Sequence, residues 1–225
     1  MPVGRTTAEL LARTVADQVA EGERLMLARI ARNLAKGIEG PHWAQQKLAE
    51  LRGFQAENRA LVADLRTDLQ SGVRTTMADA YKLGGAAAVR DVKRLISQPE
   101  TAVGTPAGLR AVEKVSLDVL GKLDATMPRI LRVTNDVYKQ AVAAGVDQVL
   151  LGTQTRIQAT QSVLDSLAQR GITGFVDKSG RGWDLTNYAE MAVRAGTMNA
   201  AVAGHVDTMQ ENGLDLVIVS SDGSP

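Results

Sequence analysis

The sequence predicts a mostly α protein: long, extended amphipathic helices over residues 1–170, then a small α+β module over 171–225. Three observations carry this. Apolar residues recur at helical spacing through most of the first 170 positions. Aromatic residues make up only 3% of the chain, so a core must be built from Ala, Val and Leu, which pack closely in helical layers. After Gly171 the pattern changes to short apolar runs separated by Gly and Ser.

The first helix is expected from Thr6, because Thr6-Thr7-Ala8-Glu9 has the capping-box form. Leu11, Val15, Val19, Met26, Ile30 and Leu34 form its stripe, with Gly22 at the missing position. Gly37, Gly40 and Pro41 stop it. A second helix starts near Trp43, with Leu48, Leu51, Phe54, Asn58, Leu61 or Val62, Leu65, Leu69, Val73, Met77 and Ala80 on one side. A break is expected between 84 and 105, with Gly84-Gly85 as its first candidate and a resumption over 86–96. Thr105-Pro106 reads as a cap followed by Pro at the first helical position.

Pro128 opens the next helix, and no strong breaker follows before Gly171; Gly145 and Gly152 are tolerable inside a helix at some cost. A straight helix over 128–170 would be roughly 65 Å long. That exceeds a compact domain of this size, so it either kinks or reaches outward. Residues 172–185 read as a hairpin with Ser179-Gly180 at its tip and Val176 opposite Trp183. Thr186 is expected to cap a helix that ends at Gly213, and 214–219 to return as a third strand.

Composition excludes several chemistries. There is no Cys, so disulfides and thiolate catalysis are absent, while the redox compartment stays open. Two His exclude a His-rich metal centre, and a net charge of +1 argues against nucleic-acid binding by bulk charge. Local clusters such as Arg129 and Arg132 leave weak DNA contact open. No apolar stretch reaches the ~18–20 residues of a membrane span. The N-terminal residues lack the apolar segment of a signal peptide, so synthesis in a cytoplasm is expected.

Catalytic candidates are few. His42 lies in Gly-Pro-His-Trp, which reads more simply as a turn with an aromatic anchor. His205 would need an orienting acid, and Asp207 two positions on faces elsewhere on a helix. The Arg181 loop, Ser-Gly-Arg-Gly-Trp, could cradle a phosphate but lacks the P-loop form. No paired acids, HExxH or GxSxG occur. Asn58 either fixes register inside a core or marks where the stripe is exposed. No cofactor and no catalytic or metal residue is assigned, and the expectation is a non-enzyme. Helices of unequal length leave apolar surface for partners, with Leu61, Leu65, Leu69, Val146 and Ile157 as candidate contacts.

The segments Leu167–Asp177, Gly180–Leu185, Tyr188–Arg194, Gly204-His205 and Gly213–Ser220 occur in an order that resembles the phage minor capsid protein 2 family, related to the Mu F-like head morphogenesis proteins. The resemblance implies a portal-vertex-associated structural protein of a tailed-phage virion, acting in head assembly, packaging or genome ejection. It implies the portal or major capsid protein as partner, self-association in a ring, and a place in the virion after assembly in the host cytoplasm. It marks Gly171, Phe175, Trp183, Tyr188, Arg194 and His205 as structural residues of the module, with Arg194 paired to an acid on the hairpin. Family sequences run on into a Cys-containing segment that this chain lacks, so an activity beyond Pro225 is a second expectation: the chain would then be the anchoring module of a phage-derived toxin.

Overall fold

A computed structural model describes residues 4–170, 175–176 and 182–214. The described residues are mostly helical: α1 (Arg5–Ala35), α2 (Trp43–Val92), α3 (Pro106–Asp124), α4 (Met127–Leu150), α5 (Arg156–Arg170) and α6 (Leu185–Glu211). Two short strands, β1 (Phe175–Val176) and β2 (Gly182–Trp183), pair antiparallel. No helix among the described residues is long and apolar enough to cross a membrane.

The helix ends follow local chemistry. Residues Thr7 and Ala8 donate their backbone N–H groups to Gly4 O, so α1 begins ahead of Thr6 and the expected Thr6–Glu9 box is not its cap. Thr105 caps α3 as its sequence suggests, its Oγ1 accepting the Gly108 N–H at 3.1 Å. At α6 the cap is Asp184 rather than Thr186: Asp184 Oδ1 accepts the Asn187 N–H at 2.7 Å. Gly213, with φ +73°, ends α6 in the left-handed conformation, with the Leu214 and Gly213 N–H groups on the carbonyls of Met209 and Gln210.

Three expectations need correction. Helix α2 runs unbroken through Gly84-Gly85 to Val92, and the break falls over 93–105. The single helix expected over 128–170 is two helices, α4 and α5. The hairpin register is Phe175 opposite Trp183 and Val176 opposite Gly182, so Val176 does not face Trp183. A small α+β module is not supported. The described strands are two residues each, too short to organise a sheet, and the returning strand expected at 214–219 lies outside the described residues beyond Leu214.

The chain forms two compact units, each drawn from separate stretches of the sequence. The first comprises Met1–Thr14, Ser71–Gly121 and Met191–Pro225. Its helices meet at glycines. A Cβ on Gly84 would stand 1.9 Å from Ala201 O, and one on Gly204 would stand 2.1 Å from Tyr81 O. Gly196 similarly admits Val119 and Met77. Tyr81 is buried there and donates its hydroxyl to Asp207 Oδ2 at 2.8 Å. The loop before α3 is tied to α6 by two bonds between Glu100 backbone and the Asn212 amide, and by Ala102 N–H to Thr208 Oγ1.

The second unit comprises Val15–Gln70 and Lys122–Glu190. Its core joins Ile30, Leu34, Trp43, Phe54, Val137, Tyr138, Ala141 and Val142, with Phe54 stacked on Tyr138 at a 4.2 Å centroid distance. Three of the chain's seven aromatic residues are therefore used in one cluster. Within the predicted α2 stripe, Phe54, Asn58, Val62, Leu65 and Leu69 are buried, whereas Leu48 is exposed. Asn58 is 1% exposed, so the stripe is not open at that point; neither amide atom has a partner among the described residues. Lys47 is fully buried, and its ammonium donates to Glu50 at 2.9 Å, which holds the Glu50 carboxyl below its usual range.

Two predictions arise from this packing. Gly84→Ala should destabilise by at least 1–3 kcal/mol through overpacking against a backbone carbonyl, whereas Gly53→Ala, whose Cβ would meet nothing within 4 Å, should stabilise α2 by about 0.5–1 kcal/mol; thermal melts followed by circular dichroism read both. Burial, reinforced by the Glu50 carboxylate, pushes the Tyr138 hydroxyl up to about 12. The unfolded chain therefore releases this proton first, and the tyrosine's contribution, intact below pH 10, declines as pH rises from 10 to 12. Urea unfolding of Tyr138→Phe should show a shallower alkaline loss. The cost at pH 7 should be small, because the hydroxyl's bond to Lys47 O is long, at 3.4 Å.

Candidate functional site

The most distinctive surface of the second unit is the corner between α4 and α5. Leu151 caps α4, and Gly152 follows with φ +67°, a conformation that L side chains rarely adopt. The Thr153 and Gly152 N–H groups close the helix on the carbonyls of Gln148 and Val149. The chain re-enters helix at once through a reciprocal capping box: Gln158 N–H donates to Thr155 Oγ1, and Thr155 N–H to Gln158 Oε1. An ordered stop and a fresh start within five residues explain why the long apolar pattern does not give one rod.

Arg156 locks this corner to the turn between α1 and α2. Its Nη1 donates to Ile38 O at 2.6 Å and Gly40 O at 2.8 Å, and its guanidinium lies 5.7 Å from the Trp43 ring centroid. Trp43 is buried, with its indole N–H on Leu34 O at 2.9 Å. Gly145 makes room for it: a Cβ there would stand 2.9 Å from Trp43 Cζ3. Beside the lock lies a cavity of about 620 Å³ lined by Ile38, Glu39, Val149, residues 152–156, Ile157 and Gln158. Around it the apolar side chains face solvent: Leu150 is 80% exposed, Leu151 71% and Ile157 52%. The corner sets apolar side chains beside hydroxyl, amide and backbone hydrogen-bonding groups.

The residues singled out from the sequence do not converge. Leu65 and Leu69 are core residues and cannot be partner contacts. Leu61 and Val146 are half-buried, and Ile157 lies on the exposed corner. Gly171 and the Arg181 loop lie outside the described residues; Phe175 and Trp183 are described only in the strand pair. Tyr188 and Arg194 are on α6, and among the described residues the acid that Arg194 meets is Glu9 of α1, at 3.6 Å; the hairpin's Asp177 lies outside the described residues. His205 Nε2 stands 4.0 Å from Asp91 Oδ2, and its buried Nδ1 has no partner among the described residues. His42 is exposed in the turn before α2. Arg129 and Arg132 are exposed on α4. No group of three His, Asp or Glu among the described residues is placed to hold a metal.

Periodicity missed Arg156, Leu150 and Leu151. The available signal was an apolar pair directly before Gly, followed by a Thr-x-x-Gln box, which marks a corner with outward-facing leucines.

The described residues thus form a mostly helical chain with leucines exposed at the α4–α5 corner. The family model described as Phage minor capsid protein 2 matches residues 6–225, and the chain belongs to that family. It is thus a structural phage protein, which agrees with the resemblance carried by its C-terminal motifs. No curated protein and no solved structure gave a match.

The Arg156 lock can be weighed by substitution. Arg156→Ala removes the donor from two part-buried carbonyls and should cost about 1–3 kcal/mol. Arg156→Lys should recover less than half of that, since an ammonium cannot reproduce the planar guanidinium over Trp43. Urea midpoints at unchanged slope measure both.

Proposed function

We propose that this chain is a minor capsid protein stationed at the portal vertex of a tailed phage, where it contacts the portal or major capsid protein and forms a ring with its own copies. Its task on this reading is head assembly, packaging or genome ejection. Family membership supports the structural role and a place in the virion. The observation that carries the partner reading is the α4–α5 corner, where Leu150, Leu151 and Ile157 are exposed beside a cavity. Apolar side chains grouped in this way on a capsid-family protein favour burial by another polypeptide, each fully buried leucine being worth roughly 1.5–3 kcal/mol.

The test is incorporation into particles. Leu150→Glu combined with Leu151→Glu should leave helix content unchanged and stability within about 0.5 kcal/mol, because both side chains already face solvent. Copies per particle should fall several-fold, and cryo-electron microscopy of wild-type particles should place the protein at one vertex in a multiple of the portal's symmetry. Undiminished incorporation of the double variant would remove the corner from the interface. Copies spread over the whole shell would remove the portal assignment.

A further inference from the structure

Six cations stand in ion pairs at close range: Arg24 with Glu21, Lys47 with Glu50, Arg66 with Asp124, Arg74 with Glu113, Lys82 with Asp79 and Arg194 with Glu9. The C-terminal turns of α1 instead gather several cations around one concavity. Arg29, Arg32, Asn33 and Lys36 stand at i, i+3, i+4 and i+7, on one side of the helix. With Glu57 of α2 they line a pocket of about 340 Å³. Among the described residues no carboxylate lies within ion-pair distance of Arg29, Arg32 or Lys36, although Lys36 is close enough to Glu50 to help hold its carboxyl below the usual range.

Arg29 is held in place, because its Nη1 donates to the backbone carbonyl of Glu57 at 2.5 Å. A guanidinium has five N–H donors, so four remain. Arg32 uses Nε on Ala28 O at 3.3 Å, which leaves its terminal N–H groups. The helix dipole favours a cation near a C-terminus by about 0.3–1 kcal/mol, which accounts for Arg32 in the last turn. It does not account for three cations sharing one concavity, one of them clamped from the facing helix.

We infer that this pocket binds a phosphate group, either a backbone phosphate of nucleic acid or a free phosphate. Two guanidinium groups, an ammonium and an amide present more N–H donors than the two oxygens of one carboxylate can accept, and they suit a tetrahedral oxyanion. Glu57, the single acid in the lining, leaves two net positive charges. The site is independent of the contact surface at the α4–α5 corner, and either can fail without the other.

Fluorescence anisotropy of the full chain with a labelled duplex of about 20 base pairs, at about 50 and 150 mM NaCl, tests this. One neutralised phosphate predicts a slope near −0.9 in log affinity against log salt, which is about a 2.7-fold loss across that range. Arg29→Gln/Arg32→Gln/Lys36→Gln should lose binding, and Arg32→Gln alone should weaken it. Lys93→Gln/Arg94→Gln/Arg110→Gln removes the same charge from exposed positions elsewhere and should bind as wild type. Melts confirm that each variant folds. Thermal stabilisation by inorganic phosphate that the first triple variant abolishes, without duplex binding, supports the site and assigns it to a free ion. Absence of both responses, equal losses in the two triple variants, or polyglutamate binding stronger than either phosphate source would overturn it.

Discussion

Side-chain-free approach is the constraint on which both units rest. With few aromatics available, the helices gain burial by bringing small residues, and at several points bare backbone, into contact. In the first unit Gly84 meets the carbonyl of Ala201, and Gly204 meets that of Tyr81. In the second, Gly145 admits the Trp43 ring, and Gly22 admits the Leu65 methyls. At each point the nearest atom is closer than a Cβ tolerates, so one added methyl must move a neighbour. Where the neighbour is a carbonyl the helix itself must shift; where it is a leucine side chain a rotamer change suffices. These glycines therefore differ in consequence, although they look alike in sequence.

Polar groups complete what close packing begins. Tyr81 spans from α2 to Asp207 of α6, and Asn212 ties the Glu100 backbone to the end of that helix. In the second unit the Trp43 indole satisfies the Leu34 carbonyl at the end of α1, which the helix leaves without an internal partner, and the Arg156 guanidinium satisfies two carbonyls of the turn that follows. Trp43 and Arg156 thus serve a helix end and a turn, while Phe54 and Tyr138 join the aliphatic residues in the core. Asn58 stands outside this scheme: it is buried beside well-packed apolar residues, and neither of its amide atoms has a partner among the described residues.

Helical content was legible in the sequence because burial on one face imposes a period. The stripe through Val15, Val19, Met26, Ile30 and Leu34 is buried as expected, and so is that from Phe54 to Ala80. Stops were less legible. Gly84-Gly85 looks like a breaker, yet it is a crossing point, since packing against α6 outweighs the intrinsic cost of glycine in a helix. Gly152 looks tolerable, yet it ends α4, because Thr155 and Gln158 offer the following residues a competing start. The hairpin position was readable but its register was not, as a shift of one residue leaves the composition of each strand unchanged. The exposed apolar corner was half legible: Ile157 is exposed, but Leu65 and Leu69 share its periodicity and are core. Period identifies an apolar face, and only the neighbours decide whether that face is covered.

The corner after Leu150 also sets an angular relation. Leu151 closes α4, Gly152 takes the left-handed turn and Thr155 opens α5, so each position in this short connection has its own task. Deleting a single residue from the stretch 151–155 would redirect α5, and with it Ile157, relative to the two leucines. It would also carry Arg156 off the carbonyls that it clamps. The spacing of this short connection thus works as a phase setting, matching an outward-facing patch to an inward-facing lock, and chain length there is as tightly specified as any side chain.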